Sequence, residues 1–319
     1  MEHEIAEAIT DGVLFAAPPR GKRSPTSAGA RNAMELFFHL LFLLCGVVAV
    51  AFVLFISIYL IVSGLPAIRQ IGLADFLFGQ VWAPTATTTE PSYGILPFIL
   101  TSVYGTAGAV LIGVPVGLMT AIFLAKVAPP KAAGVIRTAV ELLAGIPSVV
   151  YGLVGMIVLV PAIRDLFGLS SGACLLAAIV VLAIMILPSI INVSETALRA
   201  VPREYEEASL ALGATEIETY FRVSLPAASS GVATAVVLGV GRAIGEAMAI
   251  IMVSGNVANM PGLFTSVRFL TTAIASEMSY ASVGSLQRDA LYSIGLVLFL
   301  FIMLINVLLN VFIKNKKED

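Results

Sequence analysis

Charge is what this sequence has least of. Only 12% of its 319 residues are Asp, Glu, Lys or Arg, against about 25% in a soluble domain. Cysteine is as scarce. Cys45 and Cys174 both lie in apolar runs, so no disulfide framework is expected and the redox compartment stays open. His3 and His39 stand far from any cysteine pair, which leaves a metal site without ligand spacing. No acidic or basic tract points to nucleic acid. A phosphate-cradling Walker A loop is missing, because Gly21-Lys22 is followed by Arg23, without the upstream Gly or the downstream Ser/Thr. No G-x-S-x-G nucleophile elbow occurs. Gly239, Gly241 and Gly245 are spaced G-x-G-x-x-x-G inside an apolar run, which suits close helix approach better than a dinucleotide turn. No catalytic residue, metal ligand or cofactor site is therefore expected in this chain.

What is abundant is apolar residues, 59% of the chain, giving a mean hydropathy of +1.00. A membrane span needs about 20 apolar residues. Six such runs are predicted: 36–62, 95–125, 140–163, 172–191, 231–253 and 291–313. The expected class is an all-α polytopic membrane protein with six transmembrane helices. Residues 1–35 read as a polar tail with little fixed structure, residues 36–313 as the membrane domain and residues 314–319 as a second tail. The run after residue 35 is far longer than a signal h-region of about 7–15 residues, so a cleaved leader is not expected. Pro115 is expected to kink the second span. Gly145, Pro147 and Gly152 are expected to bend or closely pack the third.

Charge is sorted by loop. With the first tail inside, thirteen of the 18 Lys and Arg fall in inside segments. Arg69, Arg164, Arg268 and Arg288 fall outside, and Arg242 lies within a span. The positive-inside rule then puts both termini in the cytoplasm. Phe76, Phe78 and Trp82 in the outside loop 63–93 suit an interfacial segment. The outside loop 254–288, with GNVANMPG, reads as a surface connection before it reads as a substrate contact.

The inside loop 195–228 is the most patterned. Leu198, Val201, Tyr205, Ala208 and Leu212 recur at helical spacing with charges opposite. Gly213 breaks that stripe. Thr215 followed by Glu218 forms a capping box for a second short helix, with Ile217, Tyr220 and Phe221 as its apolar face. The segment is thus a helix–turn–helix on the membrane surface.

Arg242 and Glu246 interrupt the fifth run near its middle, in GVGRAIGEAMAI (239–250). A charge there costs roughly 2.5–3.5 kcal/mol even on the lenient insertion scale. Four residues apart, the two share one helix face. Either they neutralise each other and pin the helix, or Arg242 faces a pathway and meets an anion, with Glu246 holding it when the path is empty. A guanidinium suits phosphate oxygens because its planar fork can donate two parallel hydrogen bonds. Ser148 and Tyr151 beside Pro147 could donate to a passing anion or bond the kinked backbone.

Glu207-Ala208-Ser209, three residues, Gly213, nine residues and Val223-Ser224-Leu225-Pro226 resemble the EAA loop of ABC-importer permeases, E-A-A-x3-G-x9-I-x-L-P. Ser209 and Val223 are mild departures. SYGILPFILTS (92–102), GIPSVVYGLVG (145–155), GRAIGEAMA (241–249) and GNVANMP (255–261) look like the phosphate-specific permeases, their C-type subunit more than the A-type. The resemblance spans roughly residues 36–313 and implies the type I ABC importer permease architecture. It also implies a heterodimer with an A-type permease and two ATPase subunits that bind ATP and Mg. A periplasmic phosphate-binding protein, phosphate as substrate and the bacterial inner membrane as location follow. On this resemblance Glu207, Ala208, Ser209, Leu212 and Gly213 dock the ATPase, while Arg242, Glu246, Ser148 and Tyr151 line the pathway. Sulfate or molybdate import is the alternative, and a secondary anion transporter a more distant one.

Overall fold

The computed structural model describes residues 25–86 and 90–315. Residues 1–24 of the first tail and 316–319 of the second lie outside the described residues, and Arg20, Lys22, Arg23, Lys316 and Lys317 with them. The chain forms two compact units, residues 1–56 and 57–319. In the first unit the described chain is helical, and residues 33–56 are all exposed. This belongs to helix α1, Pro25–Ile71, whose stretch Ala33–Ile71 is apolar enough to cross a membrane. Residues 25–35, expected to be an irregular tail, are helical. Proline at a first helical position sacrifices no hydrogen bond, because that N–H has no partner within the helix.

The second unit is built on two long helices. α2 is the short Leu73–Phe78, and α3, Leu96–Ile122, widens at its end into a π-helical turn, Phe123–Val127. Pro115 is carried within α3 without interrupting it. α7, Leu175–Arg199, packs along α3 through glycines. A Cβ on Gly108, Gly113 or Gly117 would meet Ile179, Ile186 or Ile190 at under 3.0 Å. Without a hydrophobic drive between helices in lipid, such small-residue faces let van der Waals contact hold the pair. α7 contributes about half of the apolar cluster buried around it, with Leu182, Met185, Ile186 and Ile190 fully buried.

The third span differs from expectation. Its first part is a separate amphipathic helix, α4 (Pro130–Gly145), and the chain is extended at Ile146 and Pro147. The crossing segment is α5 (Ser148–Val154), a π-turn (Gly155–Leu159) and α6 (Val160–Phe167). Pro147 disfavours α conformation at Ile146, so the helix ends there instead of bending. Gly152 lets α5 approach the next crossing closely: a Cβ on it would lie 2.9 Å from both Cα and O of Ala249. Gly152→Val is expected to lower the thermal unfolding midpoint of the purified protein, since overpacking against backbone costs about 1–3 kcal/mol. An unchanged midpoint would show that the two segments separate freely.

The fourth span runs past residue 191 to Arg199, so Glu195 is helical and buried instead of opening a loop. Beyond Pro202 come α8 (Arg203–Ala211), α9 (Glu216–Thr219), a π-turn (Tyr220–Ser224) and α10 (Leu225–Ala227). A bend of 74° separates the segment Glu216–Ala227 from α11, Ser229–Gly245. α12 is Met248–Val253, α13 is Leu270–Glu277 and α14 is Leu286–Asn315. Among the described residues, five helices are long and apolar enough to cross a membrane, or six when the bent pair counts as one span.

The loops 63–93 and 254–288 are not interfacial in the way expected. Phe76 and Trp82 are buried, and only Phe78 is exposed. Trp82–Ala83 (β1) pairs antiparallel with Ser92–Tyr93 (β2) in a short hairpin, where no strand was expected. Trp82 donates its Nε1–H to Glu277 at 3.1 Å, and Gln287 donates to the same carboxylate at 3.1 Å. Arg268 completes that half-buried group by pairing with Glu277 and donating through Nη2 to Asn256 O at 2.8 Å. An indole N–H with a fixed carboxylate partner has no need of the headgroup region. The GNVANMPG loop is tied down by the same Arg268 and by Asn259, which donates to Ser266 O at 3.0 Å.

Candidate functional site

The fifth crossing is broken where its charges sit. α11 ends at Gly245, Glu246 is extended (φ −74°, ψ 130°), and α12 starts two residues later. Arg242 and Glu246 therefore do not share a helix face. The expected i, i+4 pair is replaced by two separate arrangements. Arg242 occupies the last turn of α11, roughly 20 Å along the axis from Ser229. There the unpaired carbonyls of the helix end favour a cation. Its side chain is half-buried and has no hydrogen bond or ion pair among the described residues. Glu246 instead turns to the following helix. Its Oε1 accepts from the N–H of Ala249 at 3.0 Å, and its backbone carbonyl accepts from the Thr271 hydroxyl at 2.7 Å. The carboxylate caps α12, satisfying a donor that the break would leave unpaired.

Non-helical backbone at membrane depth is tolerated where it is buried in protein or lines a water-filled path. α5 flanks this break. The Tyr151 hydroxyl donates to Leu143 O at 2.7 Å, bridging the interruption between α4 and α5. Ser148, three residues earlier and on the same face, has no hydrogen-bond partner among the described residues. So Tyr151 and Ser148 share the α5 face, Arg242 ends α11 with no hydrogen bond to either among the described residues, and Glu246 bonds along its own segment.

The second expected site is the helix–turn–helix. Gly213 has φ +87°, a left-handed conformation that residues with a Cβ adopt only at a cost. Thr215 and Glu218 form the predicted capping box: Thr215 N–H donates to Glu218 at 3.1 Å and Glu218 N–H to the Thr215 hydroxyl at 3.3 Å. Ser209 and Thr219 share a hydrogen bond of 2.9 Å across the turn. The expected single stripe is divided, because Leu198 and Val201 are buried before α8 begins while Tyr205, Leu210, Leu212 and Ile217 are exposed. Glu207 and Ala208 are exposed as well. Leu212, 90% exposed at the apex, leaves an apolar tip with no cover among the described residues.

Outside both sites, Glu195 is held by Arg137 and Arg199, the latter donating through Nε at 2.9 Å. The hydrogen bond from Arg137 and the Glu195 charge together keep the Arg137 guanidinium protonated above its ordinary value. No residue of this group was singled out from the sequence, where Glu195 merely opened a loop.

A bundle of apolar crossings, one broken around an arginine, with an exposed helix–turn–helix between the fourth and fifth, defines a polytopic permease. The fold is that of type I ABC-importer permeases. It is similar to the MetNI methionine ABC transporter in inward-facing form (TM-score 0.54, 22% identity, 70% of this chain and 95% of that one). It is also similar to a bacterial alginate ABC transporter (TM-score 0.57, 16% identity, 89% and 94%). Residues 113–315 match the family described as the binding-protein-dependent transport system inner membrane component, and the chain belongs to that family. Among curated relatives, a probable ABC transporter permease protein, YqgH of Bacillus subtilis, is 42% identical over 83% of this chain and 87% of its own length. The phosphate transport system permease protein PstC of Haemophilus influenzae is 35% identical over 82% and 88%.

Proposed function

We propose that this chain is the C-type permease subunit of an ATP-driven phosphate importer in the bacterial inner membrane. The observation that carries the reading is the 30–35% identity, over most of the chain, to several phosphate transport permeases. In this reading an A-type permease completes the pathway and a periplasmic binding protein delivers phosphate. Two separate ATPase subunits bind ATP and Mg, and this chain hydrolyses nothing itself. Arg242 serves as the anion contact of the pathway, with Tyr151 and Ser148 lining the same path. Glu246 shapes the break by capping α12. Glu207, Ala208, Ser209, Leu212 and Gly213 dock the ATPase.

The test is reconstitution of the four kinds of subunit in proteoliposomes and measurement of ATP-dependent phosphate uptake. Sulfate and molybdate are added as competitors. Uptake that phosphate alone saturates supports the reading, and stronger competition by sulfate or molybdate reassigns the substrate.

Both termini are cytoplasmic in this reading, which makes a second prediction. In a chain with Cys45 and Cys174 replaced by Ala, Met260→Cys should react with an impermeant maleimide from outside and Leu210→Cys only from inside. Both positions are exposed. Labelling of the two from one side would overturn the orientation.

A further inference from the structure

The end of α3 nearest α8 is gripped by groups that the proposed pathway does not use. A helix leaves its last carbonyls unpaired, and here the terminal π-turn presents them to neighbours. Arg199, at the end of α7, donates through Nη2 to Leu124 O at 2.8 Å. Tyr220 donates its hydroxyl to Lys126 O at 3.4 Å. The Lys126 ammonium pairs with the carboxylate of Glu206 on α8. Glu206 Oε1 also accepts from the fully buried Ser224 Oγ at 2.8 Å. One carboxylate thus joins the tip of α3 to both arms of the helix–turn–helix.

Burial decides what such a pair does. An exposed lysine–glutamate pair holds little. Here the side chains are only 11% and 18% exposed. At that burial, deleting either partner leaves a charge uncompensated, so the pair fixes geometry even where it adds little net stability. Glu206 and its neighbour Glu207 divide the work of α8: Glu207 faces solvent, and Glu206 faces the bundle. From Lys126 the path into the bundle is continuous. α3 is seated on α7 through Gly113 and Gly117, against Ile186 and Ile190. Gly239 of α11 seats on the same two isoleucines, with a Cβ there 3.2 Å from Ile190. Three residues on, α11 carries Arg242.

We propose that the Lys126–Glu206 pair is the joint through which movement of the docked α8 reaches α3, and through it the helices around the break. Both are positioning residues: neither touches substrate or nucleotide. The inference rests on the reading of the α8–Gly213 turn as the ATPase-docking surface.

The experiment uses the full complex in proteoliposomes and reads phosphate uptake per ATP hydrolysed, beside retention of the ATPase subunits on purification. Lys126→Met and Glu206→Gln are expected to keep the ATPase bound but to lower that ratio about tenfold, within the usual range for a coupling energy. The double variant should be no worse than either single one, because one joint is lost only once. Lys126→Arg, which keeps the charge, should retain the parental ratio. Parental ratios in the Met and Gln variants, or additive losses in the double variant, would overturn the joint. Should Met or Gln prevent assembly, Glu206→Asp decides: it keeps the charge but withdraws it by one methylene. A lowered ratio supports the joint and a parental one removes it. Failure of the docking reading is separable, because Gly213→Trp would then keep coupled turnover. If docking holds and the joint is wrong, Gly213→Trp uncouples while Lys126→Met does not.

Discussion

Arg242→Gln is expected to leave the importer assembled and to cut phosphate uptake by about ten- to a hundredfold, the loss that follows removal of a charged hydrogen bond worth roughly 1.5–3 kcal/mol. The position explains how a charge survives there at all. Arg242 closes the last turn of α11, where helix carbonyls favour a cation, and it has no acidic partner among the described residues. A helix end offsets only part of the desolvation of a guanidinium. Its remaining donors are available to an anion beside the unwound backbone at Glu246 and Ala247. Glutamine removes the charge and keeps a polar amide, though it ends two bonds short of the terminal guanidinium nitrogens and carries fewer donors. Arg242→Lys keeps charge without the planar fork and should recover uptake only in part. A residue that merely stabilised the helix end would behave differently. Its loss would lower the yield or melting temperature of the complex, while uptake per assembled complex stayed parental. That second outcome would reassign Arg242 to structure. Glu246 separates in the same way. Glutamine there can still accept from Ala249 N–H, whereas alanine cannot, so Glu246→Ala should fall further below the parent than Glu246→Gln.

The contrast between those two residues shows where the sequence was readable. Apolar runs announce spans because backbone polar groups must be satisfied inside lipid, and six runs gave the crossings and the class. The loop after Arg203 was legible in detail, since a positive-φ glycine and a capping box are local devices written in adjacent residues. The break at Glu246 was not. Hydropathy runs on through 231–253 without a proline, and an arginine and a glutamate four apart read naturally as one face. What decides the break is tertiary: the Glu246 carbonyl bonds Thr271, and α12 seats against Gly152. Pro147 was noticed but read as a bend within one span. It marks the boundary between an amphipathic helix and a crossing, because the residue before it cannot stay helical at low cost. Glu195 was hidden for a similar reason. A carboxylate beside a predicted loop looks solvated, and the continued helix that brings Arg199 alongside, with the approach of Arg137 from α4, makes it a buried anchor.

Gly213→Trp is expected to insert and fold its crossings normally yet to lose most of the ATP turnover stimulated by phosphate-loaded binding protein, by about tenfold or more if the turn carries the coupling. Two effects are confounded in that substitution, and the structure separates them. The first is backbone strain: at φ +87° any Cβ is unfavourable, by roughly 1–2 kcal/mol. The second is bulk. A Cβ on Gly213 meets nothing within 4 Å among the described residues, so the first atom of an added side chain points into open space. Gly213→Ala therefore carries the strain without the bulk. Both variants should loosen the turn, which the Ser209–Thr219 bond and the Thr215 capping box still hold. Only the Trp variant projects a large side chain beside the exposed Leu212, at the apex where the ATPase is proposed to seat. Stimulated turnover should accordingly rank parent, then Ala, then Trp, with the larger step between Ala and Trp. A larger step between parent and Ala would assign the effect to turn geometry. Full stimulated turnover in Gly213→Trp would show that the ATPase docks elsewhere on the chain.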